Sequence, residues 1–136
     1  MIQLKTRWAQ EVSADNALPE YPRPNMVRES YLNLNGNWEY CINQKPSTDK
    51  YDGTILVPFS PETLLSGVQK IVMPQDYLHY RKVFTLPEGF QKDRVILHFG
   101  AVDQECSAAF SFMTETGIYP VVTLTTCFGS LSPLKR

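Results

Sequence analysis

The sequence feature that most constrains the fold is a strict alternation of apolar and polar residues over residues 31–43. The apolar side chains occupy even positions: Leu32, Leu34, Trp38, Tyr40 and Ile42. A period of two residues gives a β-strand one dry face and one wet face, so this segment predicts a half-buried strand. Trp38 falls on the dry face, which favours a core position over a binding platform. Asn35-Gly36 interrupts the alternation and predicts a tight turn or a bulge, because both residues tolerate positive φ.

Three further short segments have the composition of strands. Residues 54–59, 77–86 and 94–99 are rich in β-branched and aromatic residues, and the 10 prolines and 7 glycines of the chain separate such segments as turns. In the last segment Val95 and Phe99 fall on one face. Short strands divided by turns predict an all-β chain that forms an antiparallel, jelly-roll-like β-sandwich.

The sequence contains few signals for helix formation. Ser60-Pro61 is typical of an N-cap and a first helical residue, and Gly67 of a stop, which together predict a single helical turn over residues 62–65. Three prolines keep the N-terminal arm, residues 1–29, extended, although a turn of helix is compatible with residues 6–12. We expect this arm to lie across the domain surface, anchored by Trp8 or Tyr21.

Composition excludes several classes of protein. With 43% hydrophobic and 20% charged residues the chain is globular, and its net charge of −1, with scattered basic residues, gives no reason to expect a nucleic-acid partner. The apolar runs are too short for a membrane span, and the start has no signal-peptide core, so we expect a cytoplasmic protein. Three cysteines and two histidines lack metal-site spacing, so we expect reduced thiols and neither a metal nor another cofactor. These residues are Cys41, Cys106, Cys127, His79 and His98.

Glycosidic chemistry requires two carboxyl groups on either side of the scissile bond. The candidate pairs are Asp49 with Asp52, and Asp103 with Glu105. Both pairs lie in or beside predicted turns, where carboxylates are usually solvated or cap backbone amides, so we expect no catalytic role for them.

Aromatic residues are the other candidates for contact with a ligand. Tyr77 and His79 stand near the start of a predicted strand and are more open to a binding role than the rest, whereas Arg81 and Lys82 are expected to be solvated or paired across strands. The other large aromatic residues are expected mainly to fill the core. They are Trp8, Trp38, Tyr80, Phe84 and Phe99.

Four segments, taken in order, resemble glycoside hydrolase family 2. Residues 22–38 read P-R-P-N-M-V-R-E-S followed by L-N-L-N-G-N-W, and residues 55–68 include I-L-V-P-F-S-P-E. Residues 77–84 read Y-L-H-Y-R-K-V-F, and residues 94–103 read R-V-I-L-H-F-G-A-V-D. The last two are similar to the W/H-Y-R-R/K-x-F and L-H-F-G-A-V-D strands of that family. The resemblance spans about residues 3–106.

The resemblance implies a specific context. The family contains β-galactosidases, β-glucuronidases and β-mannosidases, whose N-terminal jelly-roll is often called the sugar-binding domain and would correspond to residues 30–106. Its catalytic glutamates lie on a later TIM barrel of about 250 residues, which 136 residues cannot contain. No Asn-Glu pair of the family's acid/base motif occurs, so no catalytic residue is carried over, and none is assigned to substrate binding.

We therefore expect the non-catalytic N-terminal domain of a glycoside hydrolase, incomplete on its C-terminal side and inactive alone. One expected partner is a β-glycoside carbohydrate, bound weakly or only together with a catalytic domain. The other is a chain that carries the catalytic domain. The alternatives are a stand-alone carbohydrate-binding module and a subunit that completes a separately encoded catalytic chain.

The resemblance stops abruptly after Cys106. Where the family continues with a V-x-V-N-G strand and a G-G-Y motif, this chain has an unrelated segment, residues 107–136. One hypothesis is a reading-frame slip, and the other is a divergent strand pair. A slip would leave the sheet without its closing strands and with an exposed edge, although residues 121–125 favour an extended conformation.

The nucleotide sequence tests the frame-slip hypothesis. Read from the third base of the Ser107 codon, the shifted frame should encode x-x-V-F-V-H-D-G over the codons of residues 107–115, and G-G-Y over those of residues 120–123. Sequencing the coding DNA checks this, and a shifted frame without V-F-V and G-G-Y would leave the divergent strand pair.

Overall fold

The computed structural model describes residues 6–90, 94–102, 105–113 and 119–127. Two short 3-10 helices, η1 (Arg7–Gln10) and η2 (Pro24–Met26), precede five strands. The strands are β1 (Gly36–Asn43), β2 (Gly53–Val57), β3 (Tyr77–Val83), β4 (Glu105–Met113) and β5 (Tyr119–Cys127). They form one antiparallel sheet in the order β2-β1-β3-β5-β4, so the predicted all-β class is confirmed.

The chain divides into two compact units. The first consists of residues 1–38 and 54–71, and the second of residues 39–53 and 72–136. In the first unit the arm is held by amide side chains: Asn35 Nδ2 donates to the Ala17 carbonyl at 3.0 Å and Asn33 Nδ2 to the Leu18 carbonyl at 3.0 Å. Tyr21 packs edge-on against Tyr31 with ring centroids 4.6 Å apart. The prediction that Trp8 anchors the arm is wrong, because 56% of this residue is exposed.

The alternating segment forms the predicted strand only from Gly36 onward. Trp38 is 6% exposed, and its indole N–H donates to the Leu34 carbonyl at 2.7 Å, so the predicted core position is confirmed. Gly36, at the predicted interruption, has φ 104° and begins β1, so the strand is shorter than the alternation. A positive φ here suits glycine because it has no Cβ.

The predicted helix over residues 62–65 is wrong. The segment forms hydrogen-bonded turns: the Thr63 N–H donates to the Ser60 carbonyl at 2.9 Å, and the Gly67 N–H to the Leu64 carbonyl at 3.2 Å. The Ser66 hydroxyl is buried within 2.8 Å of the Thr63 carbonyl and 3.2 Å of the Pro61 carbonyl. Hydrogen bonds from a serine hydroxyl to nearby backbone carbonyl groups compete with the hydrogen bonds of a regular helix. The predicted stop at Gly67 does adopt positive φ, 80°.

The predicted strand over residues 94–99 is also wrong. These residues form no strand, and Val95, Ile96 and Phe99 are exposed. A β pattern forms a strand only where a partner strand accepts it, and no strand of the described sheet pairs with these residues. Residues 105–113 and 119–127 instead supply β4 and β5, and β5 is an interior strand of the sheet.

In the second unit the strands separate a dry face from a wet one. Even-numbered residues supply the buried side chains Ile42, Leu78, Val122 and Leu124. Cross-strand neighbours share a face, so the pairs Ile42 with Leu78 and Tyr80 with Leu124 lie on the same side.

Substituting Trp38 by alanine should lower the free energy of unfolding by about 3–5 kcal/mol, the usual loss for a buried large aromatic residue. Trp8 is the matched control: it is exposed beside Arg7, whose Cζ lies 4.2 Å from the ring centroid, so Trp8→Ala should cost less than about 1 kcal/mol. Urea denaturation of both variants measures the difference, and equal losses would contradict the core position of Trp38.

Candidate functional site

The odd-numbered face of the sheet in the second unit carries most of its polar contacts, although Val121 and Cys41 are buried on this face as well. The register aligns Glu39 with Arg81 and Thr123, and it aligns Cys41 with His79 and Thr125. Because side chains alternate along a strand, one register produces both rows. The β1–β2 loop, residues 44–52, contributes contacts to this face through Lys45, Thr48 and Tyr51.

Arg81 is the centre of the first row. Its Nε donates to Glu39 Oε2 at 2.6 Å and its Nη2 donates to Glu39 Oε1 at 2.9 Å, which is a bidentate pair. Of the two expectations for Arg81, solvation or pairing across strands, the structure confirms pairing. The guanidinium also lies over the Tyr51 ring, with Cζ 4.4 Å from the centroid.

The electrostatics of this cluster follow from the ion pair. The hydrogen bond from Arg81 lowers the pKa of Glu39 below its ordinary value, and the same bond raises the pKa of Arg81. Both side chains are partly exposed, 38% for Arg81 and 43% for Glu39, so the pair adds less than about 1 kcal/mol to stability. Burial raises the pKa of the Tyr51 phenol. At neutral pH the two charges cancel, which makes the cluster a poor site for an anion.

His79 is the centre of the second row and is 1% exposed. Its Nε2 lies 3.0 Å from the Lys45 carbonyl and 3.2 Å from Asn43 Oδ1, and its Nδ1 lies 3.0 Å from the Thr125 hydroxyl. A carbonyl only accepts, so the neutral ring carries its proton on Nε2, and Nδ1 accepts from Thr125. Burial lowers the pKa of His79 below 6.5, against the opposing effect of the Lys45 carbonyl. The expected binding role is wrong for His79, because both ring nitrogens are engaged inside the protein.

Two open grooves lie on this face. The first, the Arg81 groove, has a volume of about 440 Å³. It is lined by Thr48, Asp49, Tyr51, Arg81, Ser111, Val121 and Thr123. The second, the Tyr77 groove, has a volume of about 640 Å³. It is lined by Pro46, Tyr77, Glu105, Cys106, Ser107 and Thr125.

The candidate carboxylates are not brought together as a catalytic pair. Asp52 Oδ2 accepts the Ile42 N–H at 3.0 Å, a structural use that joins the β1–β2 loop to β1, whereas Asp49 is exposed in the Arg81 groove. Glu105 begins β4 and lines the Tyr77 groove, and Asp103 lies outside the described residues.

The remaining candidates occupy separate places. Tyr77 stacks on His79 with ring centroids 6.3 Å apart, and Phe84 meets Phe110 edge-on at 6.3 Å. Cys41 is a buried thiol, Cys106 an exposed one, and His98 is exposed. Across the described ranges no group of three or more metal-binding side chains occurs. Sequence reasoning missed Tyr51, although an aromatic residue among the polar residues that follow the first predicted strand was the available signal.

No family pattern matches the sequence, and no curated protein matches it either. In the part of the chain that the structure describes, no helix has the length and apolar character needed to cross a membrane.

The state of His79 predicts how stability depends on pH. Its pKa is lower in the folded protein than the ordinary 6.5, so below that pH the unfolded chain binds more protons and stability falls as the pH falls. The contribution of this one group to the slope of the free energy of unfolding against pH cannot exceed about 1.4 kcal/mol per pH unit. Urea denaturation from about pH 7.5 to about pH 5 should show a shallower decline for His79→Asn than for the unsubstituted chain.

The chain supplies its own control for this prediction. His98 is the second histidine and is exposed, so His98→Asn should keep the decline of the unsubstituted chain. An unchanged slope in His79→Asn would contradict the prediction.

Proposed function

We propose that these residues form a non-catalytic β-domain of the glycoside hydrolase family 2 type. It supports a catalytic barrel that hydrolyses β-glycosidic bonds, and it has no hydrolytic activity by itself. The observation that carries the proposal is the ordered resemblance of four segments, spread over about residues 3–106. A sandwich of the jelly-roll kind is part of the proposal.

The chemistry of the described carboxylates supports a non-catalytic role. A glycosidase general acid needs a raised pKa so that it keeps its proton near neutral pH. Glu39 has the opposite property, because Arg81 holds its pKa below the ordinary value. Asp52 is bonded to the backbone of β1, and Asp76 Oδ2 accepts the Met73 N–H at 3.0 Å within a turn. Asp52 and Asp76 thus organise the backbone, and Glu39 is bound to Arg81, whereas Asp49 and Glu105 line two different grooves and are not brought together as a pair.

The residues that carry the resemblance also have structural tasks. In the first matched segment, Asn33 and Asn35 hold the arm and Trp38 fills the core. In the third, His79 and Arg81 attach the β1–β2 loop to β3. A domain that supports a catalytic barrel, here called a bracing domain, uses its motif residues for internal contacts of this kind rather than for contacts with a substrate. One observation weighs against the proposal: residues 94–102, the described part of the segment similar to the L-H-F-G-A-V-D strand, form no strand.

A stand-alone carbohydrate-binding module is the second candidate, favoured by the hydroxyl, carboxylate and aromatic groups of the Arg81 groove. Sugar binding usually requires an aromatic face that is open to the ligand. Here Arg81 covers one face of Tyr51, and Arg7 covers one face of Trp8. This arrangement favours the bracing domain over the binding module.

The purified 136-residue chain should not hydrolyse aryl β-galactosides, β-glucuronides or β-mannosides, because the described part of the chain brings no two carboxylates together for the two-step displacement. Release of the aryl group measures the rate. Matched variants of the candidate carboxylates are Asp49→Asn, Asp52→Asn, Asp103→Asn and Glu105→Gln. Turnover that persists in every variant identifies a contaminant, whereas turnover abolished by one of them contradicts the proposal.

Calorimetric titration with the same glycosides separates the two candidates. If the chain is a bracing domain, titration with these glycosides should give no saturable heat. Saturable heat that is lost in Tyr51→Ala and kept in Tyr31→Ala would support the binding module, since Tyr31 packs against Tyr21 and lines neither groove.

A further inference from the structure

Asn35 holds the N-terminal arm through the nitrogen of its side-chain amide. Its Nδ2 donates to the Ala17 carbonyl at 3.0 Å and to the Leu18 carbonyl at 3.2 Å. Ala17 is buried, and Leu18 has a positive φ of 51°, which a residue with a Cβ rarely adopts. The amide of Asn35 therefore fixes a strained turn of the arm against the residue that precedes β1.

The residue after Asn35 is Gly36, and this is the one Asn-Gly pair in the sequence. An asparagine loses its side-chain amide when the backbone nitrogen of the next residue attacks its Cγ. A Cβ on that next residue hinders the attack, and glycine has none. Each of the other asparagines precedes a residue with a Cβ. These following residues are Ala17, Met26, Leu34, Trp38 and Gln44.

We propose that Asn35 is a site of spontaneous deamidation and that the reaction releases the N-terminal arm irreversibly. The Gly36 nitrogen forms a bond to Cγ of Asn35, the Cγ–Nδ2 bond breaks, and ammonia leaves with the proton of the Gly36 N–H. Water then opens the resulting five-membered ring at either carbonyl carbon, which leaves a carboxylate at position 35 in an aspartate or an isoaspartate. Water is the only co-reactant, and no group is oxidised or reduced.

The product of this reaction cannot hold the arm. A carboxylate at neutral pH has no N–H to donate, and the Ala17 and Leu18 carbonyls only accept hydrogen bonds. The reaction removes two hydrogen bonds and places a negative charge beside two carbonyl oxygens at a half-buried position, which is unfavourable. The bond from Asn33 Nδ2 to the Leu18 carbonyl would then hold the strained turn without the help of Asn35.

The same contacts make the reaction depend on the position of the arm. The attack requires the Asn35 side chain to rotate until its Cγ reaches the Gly36 nitrogen, and the two bonds to the arm restrain that rotation. Local opening of the arm removes the restraint. A chain that reacts while the arm is open cannot form the two bonds again, so deamidation converts a transient opening into a permanent one.

Peptide mass mapping tests the site. The purified full chain, incubated in mildly alkaline buffer, should show at Asn35 the mass change that corresponds to replacement of NH₂ by OH. Asn33 and Asn37 are internal controls, since Leu34 and Trp38 follow them. Incubation in urea should accelerate the change at Asn35, because the unfolded arm no longer restrains the side chain. No change at Asn35, an equal change at Asn33 or Asn37, or a rate that urea does not raise would overturn the proposal.

Limited proteolysis tests the release of the arm. In Asn35→Asp, subtilisin should cleave residues 15–20 about tenfold faster than in the unsubstituted chain, because two hydrogen bonds no longer close the arm and cleavage follows the open population. Cleavage within β3 should not change. Gln44→Glu is the matched control: it makes the same amide-to-carboxylate change at an exposed loop position and should leave both rates unchanged.

A partly deamidated sample of the unsubstituted chain gives a second measurement that needs no variant. After brief treatment with subtilisin, the chains cleaved within residues 15–20 should be enriched in the mass change at Asn35. Cleaved chains without this enrichment would refute the release of the arm. An unchanged rate in Asn35→Asp, or an equal rise within β3, would refute it as well.

Discussion

The register of β3 between β1 and β5 determines the rest of the second unit. Pairing Glu39 with Arg81, and Arg81 with Thr123, places every odd-numbered side chain of these strands on one face and every even-numbered one on the other. A slip of one residue would exchange the faces, moving the buried Leu78 and Val122 to the side of the ion pair. The register is therefore held by apolar burial on one face and by specific polar contacts on the other.

The polar face contains two ionisable side chains that the structure accommodates in different ways. Arg81 remains half-exposed and keeps its charge with Glu39, whereas His79 is buried and neutral, with Lys45, Asn43 and Thr125 around its ring. Both join the β1–β2 loop to the sheet. A side chain whose polar atoms are used in this way is unavailable to a substrate, which is why the proposal of a supporting β-domain suits this face better than a catalytic one.

Several local expectations succeeded because they depend on neighbours in the sequence. The alternation around Trp38 is a property of one strand, and the core position of Trp38 follows from the period of two. The helix predicted at residues 62–65 failed because the hydroxyl of the buried Ser66 bonds to carbonyls of its own turn. The strand predicted at residues 94–99 failed for a non-local reason, since no strand of the described sheet pairs with these residues.

The sequence alone determined the β character of the chain, the dry face of β1 and the positive φ at Gly36 and Gly67, because these follow from side-chain alternation and from the conformational freedom of glycine. Only the tertiary structure decided that β5 pairs with β3, that Tyr51 stacks on Arg81 and that His79 is buried against Lys45 and Thr125. Each of these joins residues at least 30 positions apart in the sequence, and no local pattern encodes which distant strand or loop occupies a given edge or face.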